Sequence, residues 1–247
     1  LLSQEFIFPK NFGIGFFILF FSLTIGTILF LPFKIKKRGN PEKDKSFNQF
    51  ISETIGIVKE HKNFQKYLFS RIFYTACLPG MGLYAIYCQD RFNFELSEAG
   101  VFTIITVIFS GVASYLAGRI GDNYGHKNSM VLAYAGHLIA AILAISIWNM
   151  FGVYLIFIAL GIGQGAFMPS AMNLIYDFSS YKDAKTYMAL VDSILAPFVL
   201  LYIILIGWLI NVGNYELSLQ ILIISLFIGI LILLFIVEDP KKEEVEE

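Results

Sequence analysis

Charged residues are scarce in this sequence. Only 15% of its 247 residues are charged, whereas soluble domains carry about 25%. Hydrophobic residues make up 57% of the chain and its mean hydropathy is +0.68, so it has too few polar side chains to cover a surface in water. The composition argues against a soluble enzyme, a disordered tail and a nucleic-acid-binding module. It predicts that the chain is surrounded by a lipid bilayer.

Groups for catalysis or metal binding are also scarce. The two cysteines are Cys77 and Cys88, and on one helix they would lie about 16 Å apart, too far for a disulfide. The three histidines, His61, His126 and His137, lack the paired spacing of a metal site. No nucleophile has an evident neighbouring base, and no glycine-rich phosphate loop is present. We therefore expect no enzyme, no cofactor and no metal, and any energy for work would come from a gradient.

Seven apolar runs are long enough to cross a hydrocarbon core of about 30 Å as helices. A strand would leave unpaired backbone groups in lipid, whereas a helix satisfies its own. The sequence thus predicts an all-α, polytopic membrane protein with seven transmembrane helices. The runs are Phe12 to Phe33, Tyr67 to Cys88, Ala99 to Leu116, Met130 to Ile147, Phe151 to Tyr176, Tyr187 to Ile210, and Leu217 to Val237.

Basic residues are unevenly distributed between the connections of these helices. When alternate connections are placed on opposite sides of the membrane, sixteen of the 18 Lys and Arg residues, among them Arg71, lie on one side. Lys10 and Arg91 lie on the other side. The positive-inside rule makes the richer side cytoplasmic, which predicts a cytoplasmic C-terminus and an external N-terminus in the plasma (inner) membrane. Because no signal peptide is evident, an external N-terminus leads us to expect further helices before Leu1.

The stretch between the first two helices, residues 34–66, is polar and begins with a basic cluster. Within it, five apolar residues from Phe47 to Val58 recur at spacings of three and four, and Ser46 with Gln49 resembles a capping box. This pattern predicts an amphipathic helix on the cytoplasmic surface, either a passive linker or a regulatory segment. Residues 239–247 are expected to form a cytoplasmic acidic tail, with Glu243, Glu244, Glu246 and Glu247 as its solvated end.

The helices differ in the polar residues that they contain. The first, fourth and seventh are nearly without charge, so we expect them to face lipid. In the third, a stripe of hydroxyls from Thr103 to Ser114 either bonds within the bundle or faces water. Pro79 and Gly80 are expected to interrupt the second helix, and interrupted helices are typical of binding sites in transporters. The glycines of residues 161–165 in the fifth helix favour close helix packing.

Asp192 is the ionisable residue that stands out, about two turns inside the sixth helix. A carboxylate at the centre of a bilayer costs roughly 2.5–3.5 kcal/mol on insertion scales, so such residues usually face a cavity or a partner. Asp192 is therefore our leading candidate for proton or substrate coupling. A protonated or helix-capped aspartate near the membrane interface is the alternative.

The connection between the third and fourth helices contains a motif with a recognisable spacing. The motif residues are Gly118, Asp122, Gly125 and Lys127. This stretch resembles the signature loop of the major facilitator superfamily, in which glycines allow a tight turn and cations hold the loop in the cytoplasm. Asn123 and His126 replace basic residues that the family usually has there.

The resemblance implies a twelve-helix fold made of two six-helix halves. Residues 1–33 would contain the last helix of the N-terminal half, residues 34–66 the interdomain linker, residues 67–238 the six-helix C-terminal transport domain, and residues 239–247 a cytoplasmic tail. The missing N-terminal half would then be a partner of this chain. Asp122 would meet a helix N-terminus of that half and latch the outward-facing state, with His126 and Asp177 in the associated charge cluster.

The function implied by the resemblance is secondary active transport of a small solute by alternating access, with protons as the candidate coupling ion. The competing hypothesis is a non-transporting sensor or scaffold with the same fold. A measurement of solute uptake by the complete protein distinguishes the two hypotheses. Candidate contacts for substrate or coupling near the membrane midplane are Asp192, Gln164, Asn173, Tyr84 and Ser110.

Overall fold

A computed structural model describes residues 10–31, 56–94, 96–179 and 184–240. Most of the predicted amphipathic helix, with Ser46 and Gln49, lies outside the described residues, as do residues 241–247 of the acidic tail. Residues 56–60, at the end of the linker, are helical.

The regular elements of the described residues are all α-helices, which confirms the predicted all-α class. Five of them, α4 to α8, are long and apolar enough to cross a membrane, and α1 contains a shorter apolar stretch, Gly13–Leu29. In chain order the helices are α1 Lys10–Phe30, α2 Lys62–Tyr74, α3 Cys77–Phe92, α4 Leu96–Tyr124, α5 His126–Ser146, α6 Met150–Ser179, α7 Ala184–Asn211 and α8 Tyr215–Phe235.

The segment predicted as the second helix is broken, but not at Pro79 and Gly80. Its two parts, α2 and α3, are separated by a turn at residues 75–76, and α3 continues through the proline. A proline has no N–H for the carbonyl four residues earlier, and its ring collides with that carbonyl. The Thr75 carbonyl instead accepts the N–H of Leu78 at 3.1 Å. The break was thus correctly predicted, and its position was wrong by one helical turn.

Glycines bring α6 into close contact with two neighbouring helices. A Cβ at Gly161 would lie 2.5 Å from a backbone oxygen of α4, and one at Gly165 would lie 2.0 Å from the Ser110 carbonyl oxygen. On the α5 side, a Cβ at Gly163 would lie 2.8 Å from the His137 ring. Only residues without a side chain fit these crossings, which confirms the interpretation of the glycines as packing residues.

The hydroxyl stripe of α4 serves hydrogen bonding within the bundle. Thr103 Oγ1 donates to the Ala99 carbonyl at 2.9 Å, and Thr106 Oγ1 donates to the Phe102 carbonyl at the same distance. Thr106 Oγ1 also lies 3.3 Å from the Phe157 carbonyl of α6. Thr103 thus bonds back to its own helix, and Thr106 bonds both to its own helix and to α6.

The fourth predicted helix, α5, is not purely peripheral. Tyr134 and His137 are buried on one of its faces, between α6 and α8, whereas Ile139 and Ile142 are exposed on the other. The expectation of a lipid-facing helix is therefore wrong for the His137 face. Small residues at the helix contacts let the neighbours approach closely enough to cover it.

One end of the bundle, which we call the Gly125 end, contains the last residues of α4, α6 and α8. The first residues of α2, α5 and α7 lie at the same end. There, Asn63 exchanges two hydrogen bonds with the backbone of Glu238, at 3.0 and 2.8 Å. Lys66 Nζ forms an ion pair with the Glu238 carboxylate at 2.6 Å. Lys127 Nζ donates to two carbonyls at and just beyond the end of α8, at 3.0 and 2.6 Å. Residues 236–240 thus tie α8 to the beginnings of α2 and α5.

Candidate functional site

A cleft of about 720 Å³ lies beside the break between α2 and α3, with further walls from α5, α6 and α7. Thr75 of the turn and Cys77, the first residue of α3, line it. Non-helical backbone is tolerated at membrane depth where it lines a cavity or is buried in protein. The volume falls within the range of about 300–1,000 Å³ usual for small-molecule sites, so the cleft is the candidate site.

Most of the cleft wall is apolar, and the polar groups in it are few. Four of the polar side chains in it are ionisable or carry an amide, Arg71, His137, Gln164 and Asp192, and Tyr74 and Thr75 add hydroxyl groups. The first four come from four different segments, α2, α5, α6 and α7. An apolar pocket with a few convergent polar groups is the usual form of a ligand site.

Arg71 is the most constrained of these groups. Its side chain is 8% exposed, and the centre of its guanidinium lies 4.6 Å from the Phe167 ring centroid and 5.5 Å from that of Tyr74. Its Nε and Nη1 atoms are buried and have no hydrogen-bond partner, and no carboxylate of a described residue forms an ion pair with it. Arg71 is thus a buried charge that lies against aromatic faces, with two of its three nitrogen atoms unpaired.

The other buried side-chain polar atoms without a partner lie around Arg71. Within the described ranges these are Tyr67 Oη, Tyr74 Oη and His137 Nδ1, beside the two arginine nitrogens. The Tyr74 ring lies 5.5 Å from the His137 ring, and Arg71 lies 6.0 Å from the Tyr67 ring. We call these four side chains, Tyr67, Arg71, Tyr74 and His137, the Arg71 cluster. Arg71, Tyr74 and His137 line the cleft, and Tyr67 is buried behind it. Native proteins rarely leave buried polar groups unsatisfied, so this concentration of them calls for an explanation.

Sequence reasoning missed the Arg71 cluster. Arg71 was counted among the cytoplasmic cations, and His137 was placed on a helix expected to face lipid. A usable signal existed, because Tyr67, Arg71 and Tyr74 stand at spacings of four and three and therefore share one helix face. Arg71 also lies inside an apolar run, where an ionisable residue usually faces a cavity or a partner.

The structure places two of the five predicted contact residues at the cleft and three elsewhere. Asp192 and Gln164 line it. Tyr84 is buried, 1% exposed, against α8 near Leu222, and Ser110 lies at the crossing of α4 with Gly165. Asn173 is half-buried on α6, more than two turns beyond Gln164, and does not line the cleft.

The signature motif is mostly helical and not a loop. Residues 118–124 continue α4 to its end, and the turn consists of Gly125, whose φ is +92°. A Cβ at Gly125 would lie 2.1 Å from the Asp239 carboxylate, and one at Gly121 would lie 2.4 Å from the His126 ring. Gly118 has open space around it. A short turn suffices because a glycine with positive φ reverses the chain in one residue.

Three residues of the predicted charge cluster are found at the Gly125 end. His126 Nδ1 lies 2.6 Å from Asp177 Oδ2, and both side chains are 9% exposed. Asp122 is exposed on the last turn of α4. Asp239, the first residue of the predicted tail, is buried, 9% exposed, beside Gly125.

No group of three or more His, Cys, Asp or Glu residues in the described part of the chain is arranged to hold a metal ion. Cys77 and Cys88 are both free and buried.

Comparison with known families gives a match between residues 80–247, more than half of the chain, and the model of the Major Facilitator Superfamily. The match covers α3 from its fourth residue, all later helices and the Gly118 to Lys127 motif. Among curated proteins no relative was found.

Proposed function

Because the chain belongs to the major facilitator superfamily, we propose that it forms part of a secondary active transporter that moves a small solute by alternating access. The observation that carries this proposal is the cleft beside the α2–α3 break, whose mostly apolar wall contains both Arg71 and Asp192. Ionisable residues at membrane depth mark substrate or ion pathways, and broken helices supply the backbone of such sites.

The proposal includes a second half of the transporter. Helices α4 and α7 are the least buried of the five long helices, and α7 contributes Asp192 to the cleft. We propose that the exposed faces of these two helices pack against the N-terminal half, with the cleft between the halves. In this arrangement the Gly125 end faces the cytoplasm, in accordance with the positive-inside rule.

Asp192 is the candidate for proton coupling. Its side chain is exposed to the cleft and not covered by neighbouring helices. A carboxylate in this position is able to take up a proton when the cleft opens to one side and to release it when the cleft opens to the other. Asp122, at the Gly125 end, is the candidate for the conformational latch.

The experiment uses proteoliposomes that contain the full-length protein and a pH-sensitive dye, exposed to a panel of carboxylates, sugars, amino acids and amines. We expect at least one class to be accumulated, with acidification or alkalinisation of the lumen. Asp192→Asn should abolish the effect of a pH gradient on accumulation, whereas Asp90→Asn, exposed and outside the cleft, should retain it.

Retained proton dependence in Asp192→Asn would remove this residue from coupling. Saturable binding without accumulation of any class would contradict transport and favour a sensor or scaffold.

A further inference from the structure

We infer that the solute carries an acidic group that binds the Arg71 cluster, together with an apolar body that fills the rest of the cleft. This inference rests on the proposed transport function for its biological meaning, but the binding site itself is argued from the geometry of α2, α5, α6 and α7.

The first argument is the uncompensated charge. A guanidinium remains protonated in proteins, and a buried charge is costly unless it is paired. Phe167 and Tyr74 lie against Arg71 at 4.6 and 5.5 Å, and aromatic rings interact with a cation through their faces. They do not use the N–H donors, which leaves Nε and Nη1 without acceptors. An anionic acceptor is what this side chain lacks.

The second argument is the kind of group that surrounds Arg71. Tyr67, Tyr74 and His137 each have an unpartnered polar atom, and hydroxyl and imidazole groups are able to donate. An arginine fork with neighbouring donors matches the acceptor oxygens of a carboxylate or a phosphate. A neutral sugar would leave the arginine charge uncompensated, and a cationic amine would be repelled by it.

The third argument concerns the remainder of the wall. Apart from Asp192, the α7 side consists of apolar residues, and Met81 of α3 adjoins them; the α7 residues are Leu195, Ala196, Val199, Leu200 and Ile203. These side chains offer contact to an apolar group and no hydrogen bonds. Since the cleft of about 720 Å³ is larger than an inorganic anion needs, the combination favours an organic acid with an aromatic or aliphatic body.

Asp192 lines the same cleft without pairing with Arg71. This carboxylate does not satisfy the arginine, and in its charged form it opposes an incoming anion. A proton on Asp192 removes that repulsion. The same cleft therefore accommodates one proton together with one acidic group, as proton symport of an organic acid requires.

The test uses the full-length protein purified in detergent and calorimetric titration with 3-phenylpropionate and its neutral analogue, 3-phenylpropanamide. We expect the acid to bind at least about ten-fold more tightly than the amide, and Arg71→Gln to weaken acid binding by at least about ten-fold, as for lost hydrogen bonds between charged groups. Arg91→Gln is the matched control, because Arg91 also lies against a tyrosine ring, at 5.8 Å, but outside the cleft.

Equal binding of the acid and the amide to the unmodified protein would overturn the inference, as would undetectable acid binding. Both results are independent of whether Arg71→Gln folds. Equal acid affinities of Arg71→Gln and Arg91→Gln would also overturn it.

The inference and the transport proposal fail separately. Acid binding that depends on Arg71, without accumulation of any solute in proteoliposomes, contradicts transport and supports the site. Accumulation of neutral solutes, without acid binding, supports transport and overturns the site.

Discussion

Replacement of Gly165 by alanine tests how closely α6 is held against α4. The added Cβ would lie 2.0 Å from the Ser110 carbonyl oxygen and 2.6 Å from two further backbone atoms of that residue, whereas ordinary contacts begin at 3.4 Å. Backbone atoms have no alternative rotamer, so the strain is relieved only when the helices move apart. The shift needed at the closest atom is about 1.4 Å, from 2.0 to 3.4 Å. Such a movement disturbs every contact along the crossing.

The expected cost follows from two opposing effects. Overpacking costs typically about 1–3 kcal/mol, and alanine recovers roughly 0.5–1 kcal/mol relative to glycine in a helix. With overpacking at about 2 kcal/mol, the middle of its range, we expect a net loss of about 1–1.5 kcal/mol in the free energy of unfolding. At about 2–4 °C per kcal/mol, the melting temperature should fall by roughly 2–6 °C.

The assay is thermal unfolding of the full-length protein in detergent, followed by dye fluorescence. Gly111→Ala is the matched control, because Gly111 lies on α4 and a Cβ there would meet nothing within 4 Å. Its melting temperature should stay the same or rise. If Gly165→Ala melts at or above the temperature of Gly111→Ala, the reasoning from close backbone approach is refuted.

Two further predictions concern the Gly125 end. Gly125→Ala should lower the melting temperature, because φ at this residue is +92° and the added Cβ would lie 2.1 Å from the Asp239 carboxylate. Gly118→Ala is the control, because a Cβ there would lie in open space. Equal melting temperatures of the two variants would contradict the turn geometry. Asp122→Asn should change the fraction of outward-facing protein, measured by cysteine accessibility in the full-length transporter, and an unchanged accessibility pattern and transport rate would remove Asp122 from the latch.

Sequence reasoning predicted the helices well, because membrane crossing imposes a length and a hydropathy that a single chain displays locally. It also predicted the break in the second helix from Pro79. The position of the break depends on which carbonyl the proline ring displaces. That carbonyl belongs to Thr75, which lies one turn before Pro79.

The candidate site was only partly predictable. Asp192 and Gln164 were found because polar residues inside apolar runs are conspicuous. Arg71 was missed because it agreed with the excess of basic residues expected on the cytoplasmic side. Its burial also depends on Phe167 of α6, which is almost a hundred residues away in the chain. His137 was missed because its apolar helix gave no sign of which face is covered.

The contacts of residues 236–240 have a mechanical consequence. Asn63 and Lys66 bind Glu238, and Lys127 binds the carbonyls next to it, so the first and last helices after the linker are joined at one end. A force applied to the chain just before α2 would be transmitted to α8 and to the turn at Gly125 together. The beginnings of α2 and α5 and the end of α8 would then move together in any rocking motion of the bundle.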